Sequence, residues 1–316
     1  MNPCRLGTQH VHVVGALHEG NGAKVASFAA GHLLQVKREF IPDRAGKLDA
    51  FELQHNVVHA QRAALVFAAG DPPLDAVLDE ILSAHDYPPP ITHLLAEALV
   101  LIALIGSLLK EEGAQVTMQA QTEAGPVSLL ACDYKDGDLR GYVDFDADRL
   151  TELGANPSLY ALFGKGYLAL TFDLPGERGR YQGIVPLEGD SLADACQSYF
   201  IQSEQVPTLI RVAIASGTDG CTAAGLLVQH LPDGEEGRER LHVRLDHPEW
   251  EHVAVMAGSI KHEELLDPAL APADLLYRLY HAEGVRVFRT RPLHHACRCS
   301  RTKVEKTLAS FPRSEI

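Results

Sequence analysis

Two cysteines a single residue apart, Cys297-Arg298-Cys299, stand near the C-terminal end of a 316-residue chain. Zinc binds thiolates, and a four-cysteine structural site usually takes them as two pairs separated by a loop, so this pair could be half of such a site. The same spacing also allows a redox couple or a chance juxtaposition. The other four cysteines, Cys4, Cys132, Cys196 and Cys221, are scattered. That is the usage of a reducing compartment, where a lone cysteine behaves as a small hydrophobe.

Other stretches offer chemistry of lower specificity. Cys221 lies in GTDGCTAAG (217–225), which predicts an exposed hairpin loop where a nucleophile could sit, but nothing near it in sequence supplies a base. In the histidine-rich start, which also holds His18, His10 and His12 alternate with valines in HVHVV and are expected on one face of a strand; the two could bind a metal, but no third ligand stands at a usable spacing. Gly164-Lys165-Gly166 lacks the spacing of a phosphate-binding loop and is expected to be a turn into a strand. HAEG (281–284) and KHEEL (261–265) lack the order of a zinc hydrolase. No enzyme signature is present.

The elements that must position these residues follow from periodicity. Asp71 and Pro72 open a helix carrying Leu74, Val77, Leu78, Ile81 and Leu82, expected to stop before Tyr87-Pro88-Pro89-Pro90. A second helix over residues 92–112 is apolar nearly all round, as a central buried helix would be, with Gly113 as its stop. The period then changes to two, and strands are expected at 115–122, 125–132, 139–145, 166–174 and 180–187, joined by hairpin-length turns into an antiparallel sheet. A helix over 191–202 and strands at 209–216 and 225–231 complete an α+β core with buried helices, spanning 1–231. A polar stretch, PDGEEGRER (232–240), opens a helical linker region reaching residue 293. Its short helices lie near 249–257, 262–266 and 272–284, and the last carries an apolar stripe of Leu275, Leu276, Leu279 and Tyr280. Residues 294–316 carry the cysteine pair and form a short C-terminal stretch after that linker.

Composition narrows the function classes. Apolar residues make up 46% and charged residues 22%, which is ordinary for a packed globular chain. A formal charge of −14 without any basic run argues against a nucleic-acid partner. The longest apolar run, residues 98–109, is too short for a bilayer of roughly 20 residues, and no export signal is read at the N-terminus, so no membrane partner and a cytoplasmic location are expected.

From about residue 87 to 304 the chain resembles the redox-regulated heat-shock chaperones of 33 kDa. The stretches that carry this are YPPPITHLLAEAL (87–99), GSLLK (106–110), GPVSLL (125–130), LRGY (139–142), GKGYLALT (164–171), YQGIVPLEGDSLADACQSYFIQSEQVPT (181–208), AAGLLVQ (223–229), EELL (263–266), LLYRLYHAEGVRVF (275–288) and CRCSRTKV (297–304). The resemblance implies an ATP-independent holdase that binds unfolding proteins under oxidative and heat stress, and a homodimer on activation. It implies that Cys297 and Cys299 are zinc ligands when reduced and a disulfide when oxidised. Loss of zinc would unfold the small domain and free the helical segment before it, exposing apolar surface.

The family's pattern continues through a spacer to a Cys-x-x-Cys that completes the zinc site. That half is not in these 316 residues. The expectation is therefore a chain truncated within its zinc domain, with His294 and His295 as makeshift ligands at best and a client surface at least partly open in either redox state. Two rival readings stand beside the holdase: a zinc-ribbon protein docking one fixed partner, and a thiol or zinc hydrolase using Cys221 or the histidines.

Overall fold

The computed structural model describes residues 14–15, 61–67, 72–109, 111–122, 124–176, 179–217, 220–231, 248–282, 285–287 and 292–297, with isolated positions at 302, 305, 309 and 310. His10, His12, His18, Asp71, the polar stretch 232–240 and Cys299 lie outside the described residues. In chain order the elements are β1 (Val14–Gly15), β2 (Gln61–Phe67), α1 (Pro72–Leu82), α2 (Pro89–Ser107), β3 (Gln115–Gln121), β4 (Val127–Lys135), β5 (Asp138–Phe145), α3 (Ala147–Thr151) and α4 (Leu159–Phe163). They continue as β6 (Tyr167–Leu174), β7 (Gly179–Pro186), α5 (Leu192–Tyr199), β8 (Thr208–Gly217), β9 (Gly220–Leu231), α6 (Pro248–Gly258), α7 (His262–Leu265), α8 (Pro272–Tyr280), β10 (Arg286–Val287) and β11 (His294–His295).

The fold is α+β with antiparallel pairing dominant, as its period-two stretches predict. A six-stranded sheet runs β11-β5-β4-β3-β6-β7, and a three-stranded sheet runs β2-β9-β8. Every pairing in both is antiparallel except β11 with β5. Helix α2 lies between the sheets, touching β3, β4 and β5 on one side and β8 and β9 on the other. That position explains why thirteen of its nineteen residues are buried and why no polar stripe interrupts it. The helix is long and apolar enough to cross a bilayer by length and composition, but it is the core of this molecule.

Helices α2 and α5 differ at their ends from the periodicity reading. Helix α2 begins at Pro89, with Pro88 as its N-cap, because proline lacks only an N–H that the first turn would leave unbonded anyway. It stops at Ser107, five residues short of the expected end, and Gly113 (φ 82°) instead shapes the turn into β3. Helix α5 ends in a π-helical turn, Phe200–Glu204, closed by Gln205 in the left-handed region (φ 56°).

Strand β9 begins at Gly220, five residues earlier than its sequence suggests, because its first half is built of small residues. The reason is close approach: a Cβ on Gly225 would lie 2.6 Å from Val100 Cγ1 and 2.8 Å from Leu104 Cδ1 of α2. Successive side chains of β9 face opposite ways. Cys221, Ala223 and Leu227 join the main core around α2, while Ala224, Leu226 and Val228 join a second apolar cluster with helices α6 and α8.

Candidate functional site

Cys297 is exposed, at the end of a segment that is anything but detached. Four residues before it, the chain runs in against the sheet: Leu293 is 2% exposed and belongs to the main core. His294 and His295 then add a parallel strand to the edge of β5, opposite Asp138 and Leu139. The His294 N–H donates to Gly137 O at 2.9 Å and the Ala296 N–H to Leu139 O at 3.1 Å. Gly137 (φ 97°) is required here, since a Cβ would sit 2.4 Å from Pro292 O. Helix α1 holds the strand from the side, with Glu80 Oε1 3.2 Å from His295 Nδ1.

His295 thus meets a carboxylate on the exposed side of α1, while His294 is held through its backbone by the strand pairing. Among the described residues no group of three or more His, Cys, Asp or Glu side chains is placed to hold a metal ion. The described part of the region offers one thiol, and the donors it supplies do not by themselves complete a zinc site.

The helical segment is the second part of the candidate site. Helices α6, α7 and α8 cover the face of β8 and β9 that α2 does not. Trp250, Val253 and Ala257 of α6, Leu265 of α7, and Leu275, Leu276 and Tyr280 of α8 are buried against Ala213, Ala224, Leu226 and Val228. The stripe on α8 therefore covers a sheet. Three polar contacts fix the segment: Tyr280 donates its hydroxyl to Val253 O at 3.2 Å, Arg278 meets Glu264 at 2.6 Å, and His262 Nε2 lies 3.3 Å from Ile214 O. Exposed Val255 and Tyr277 lie on the outside of this layer.

Helix α1 links β11 to strand β9, whose other face the helical segment covers. Beside its Glu80 contact with β11, Asp79 accepts the Cys221 N–H at 2.8 Å and Asp75 accepts the Ala223 N–H at 3.1 Å. These carboxylates occupy the stretch of the β9 edge that precedes its pairing with β2. The geometry also corrects the reading of Cys221: it is 5% exposed, paired opposite Ser216 within the hairpin, and no loop displays it. Burial pushes its thiol pKa up, away from the thiolate a nucleophile needs. Cys132 and Cys196 are buried too, with their thiols shifted the same way by burial. A thiol hydrolase built on Cys221 has no support here. Gly164 caps α4 and Gly166 leads into β6, so Gly-Lys-Gly is the expected turn.

Sequence reasoning found Cys297 and the α8 stripe and missed Glu80, Gly137, Leu139 and Leu293. No local signal could have found them, because a two-residue parallel pairing across more than 150 positions leaves no period to read.

A family model described as Hsp33 protein matches residues 72–316. The 33 kDa chaperonin of Caulobacter vibrioides (strain NA1000 / CB15N) is 37% identical over 251 residues, covering 77% of this chain and 80% of that protein. The 33 kDa chaperonin of Ectopseudomonas mendocina (strain ymp) is 40% identical over 238 residues, covering 74% and 75%. Among solved structures, the 33 kDa chaperonin (heat shock protein 33 homolog) of Thermotoga maritima superposes with a TM-score of 0.63 at 21% identity, over 80% of this chain and 82% of that one, which shows a shared fold. With two sheets about a buried helix, a helical layer on the smaller sheet and the family's sequence matched from α1 onward, the chain belongs to the Hsp33 protein family.

Proposed function

We propose that the chain is a cytoplasmic, ATP-independent holdase: a chaperone that binds unfolding proteins through apolar surface lying under α6–α8 and is switched by the state of Cys297 and Cys299. The observation that carries this reading is the second apolar cluster. Its covering helices have 11, 4 and 9 residues. Helices shorter than about 12–15 residues are marginal in water, so these persist only while packed, and lifting them off unfolds them. What they leave behind is a sheet face lined by Ala213, Ala224, Leu226 and Val228, which recognises apolar chain without regard to sequence.

The switch follows from thiol chemistry. In the resting chain Cys297 and Cys299 would supply two thiolates to a zinc ion, which keeps them deprotonated and helps to order the residues around them. Peroxide oxidises one thiolate to a sulfenic acid. The other attacks that sulfur, so that an S–S bond forms between residues 297 and 299 and the peroxide oxygens leave as water. The segment ending at Cys297 is the strand docked on β5, and α1 joins that edge to β9, which offers a contiguous route from the cysteines to the covered face. A homodimer of the activated chain is compatible with this scheme.

The test is aggregation of a thermally unfolding client, followed by light scattering without ATP, with the chain reduced in the presence of zinc or oxidised by peroxide. Suppression confined to the oxidised chain means that the two thiols carry the switch by themselves. Suppression in both states means a holdase whose lock these two thiols do not close. Absence of suppression in both, with one protein bound at fixed stoichiometry, favours a zinc-ribbon partner protein and overturns the holdase.

A further inference from the structure

The edge of β5 is closed at both ends by groups from elsewhere in the chain. Antiparallel pairing with β4 turns the N–H and C=O groups of alternate residues, Leu139, Gly141 and Val143, away from the sheet. At one end β11 donates to Gly137 O and Leu139 O. At the other, the Val143 N–H donates to the Tyr87 hydroxyl at 3.1 Å. Gly141 lies between, its position of closest approach facing Leu95 and Leu99 inside the core, so no side chain of its own screens the edge.

What sits on this edge is an extended segment, paired through its backbone, with one aliphatic side chain inserted in the core. Leu293 is the anchor, and the flanking His294 and His295 are only partly buried. Backbone pairing along an edge gives affinity without sequence, and a socket for one apolar side chain gives a bias toward hydrophobic segments. Those are the two features every unfolded polypeptide can satisfy.

We propose that β11 is an internal stand-in for client: when the segment 292–297 is released, the edge of β5 and the Leu293 socket take up an extended aliphatic segment of an unfolded protein by strand addition. The inference rests on the holdase reading and assigns a second contact surface to it, separate from the face beneath α6–α8. It also makes the resting chain self-inhibited at this edge, because an exposed edge strand is a template for unwanted pairing until something covers it.

The experiment uses the full chain and two ways of releasing the strand. Ala296→Pro removes the N–H that bonds Leu139 O and leaves Leu293 in place, whereas Leu293→Asp ejects the anchor. The probe is a fluorescent peptide of residues 288–296, titrated into the reduced, zinc-treated proteins. A photoreactive phenylalanine analogue at Tyr142, 45% exposed beside Gly141, reports what reaches the edge. The expected result is at least ten-fold tighter peptide binding by Ala296→Pro than by the unaltered chain, loss of that binding when the peptide carries Leu293→Asp, and client crosslinks at position 142 that the peptide displaces. Client held by both variants and by the oxidised chain without crosslinks at 142 or peptide uptake would overturn the edge proposal and leave the holdase intact. Peptide uptake by chains that hold no client in any redox state would overturn the holdase and, with it, client as the occupant of this edge.

Discussion

The two apolar clusters of this molecule are built on opposite faces of the same strand, and they differ in what surrounds them. The main core wraps a 19-residue helix on two sides, with sheets above and below it. The second cluster has one sheet beneath and three short helices above, bounded by exposed Glu263, Lys261 and Tyr277. A side chain such as Leu99 has no route to water short of global unfolding, whereas Leu276, equally buried at 0% exposure, is separated from it by a single layer. Equal burial thus conceals unequal commitment. On the proposed reading the first cluster defines the fold and the second is a cover whose loss the fold should survive.

The sharpest test of that contrast is a matched pair of truncations. Leu99→Ala should cost about 4 kcal/mol and lower the denaturation midpoint of the whole chain, since the cavity opens inside the helix that both sheets share. Leu276→Ala should cost about 3 kcal/mol, but locally. Amide exchange should accelerate across 248–280 while α2 stays protected, and the reduced chain should hold more client. Loss of α2 protection in Leu276→Ala would make the two clusters one cooperative unit and end the comparison.

A smaller effect separates the regions by pH. Glu97, the one charged residue of α2, accepts the Ala193 N–H at 3.1 Å where α5 begins. Burial raises its pKa from 4.5 to about 7, with the Asp194 carboxylate adding to the rise and the backbone N–H groups opposing it. The folded chain thus holds this proton more tightly than the unfolded one, and its contribution to stability is full below pH 4.5 and lost as pH rises toward 7. Glu97→Gln keeps an acceptor for Ala193 without the charge. It should be more stable than the unaltered chain at pH 8 by about 2 kcal/mol, with the difference vanishing near pH 4, by denaturant titration at both. The smallest effect should come from Arg278→Ala, which removes the exposed contact with Glu264 joining α7 to α8. Its global midpoint should barely move, while exchange in α7 becomes faster and less sensitive to salt.

Much of this arrangement is legible from residue order alone. The period-two runs between 115 and 187 give all five strands of the larger sheet that β11 later joins, because alternate side chains turn inward, onto α2 in β3, β4 and β5 and toward α5 in β7. The all-round apolarity of α2 announces a helix with neighbours on every side. The misreadings share a cause in tertiary contact. Residues 220–225 look like a loop because they are small, and they are small because α2 lies against them at Gly225. Leu108 and Leu109 continue the apolar run of α2 without continuing its helix, for Leu109 is buried in the core from a turn. Prolines 88–90 mark the stop expected after α1 and also open α2, which begins at Pro89 and not at residue 92. Of the candidate site, Cys297 and the α8 stripe carry local signals, whereas Leu293 and Glu80 act only through a pairing that distant parts of the chain make together.

Strand β9 has no outside. From Ala223 to Val228 its odd-numbered side chains are committed to one core and its even-numbered ones to the other, so the strand is read like a two-track recording in which parity selects the track. An insertion or deletion of one residue near Gly220 would swap the tracks, sending Leu226 toward α2 and Leu227 toward the cover. As the proposed client surface, the even track would serve two masters at different times: it must be apolar enough to hold its own helices and plain enough to accept strangers once they leave. Small and aliphatic residues, Ala224, Leu226 and Val228, meet both demands because they fix no partner's shape.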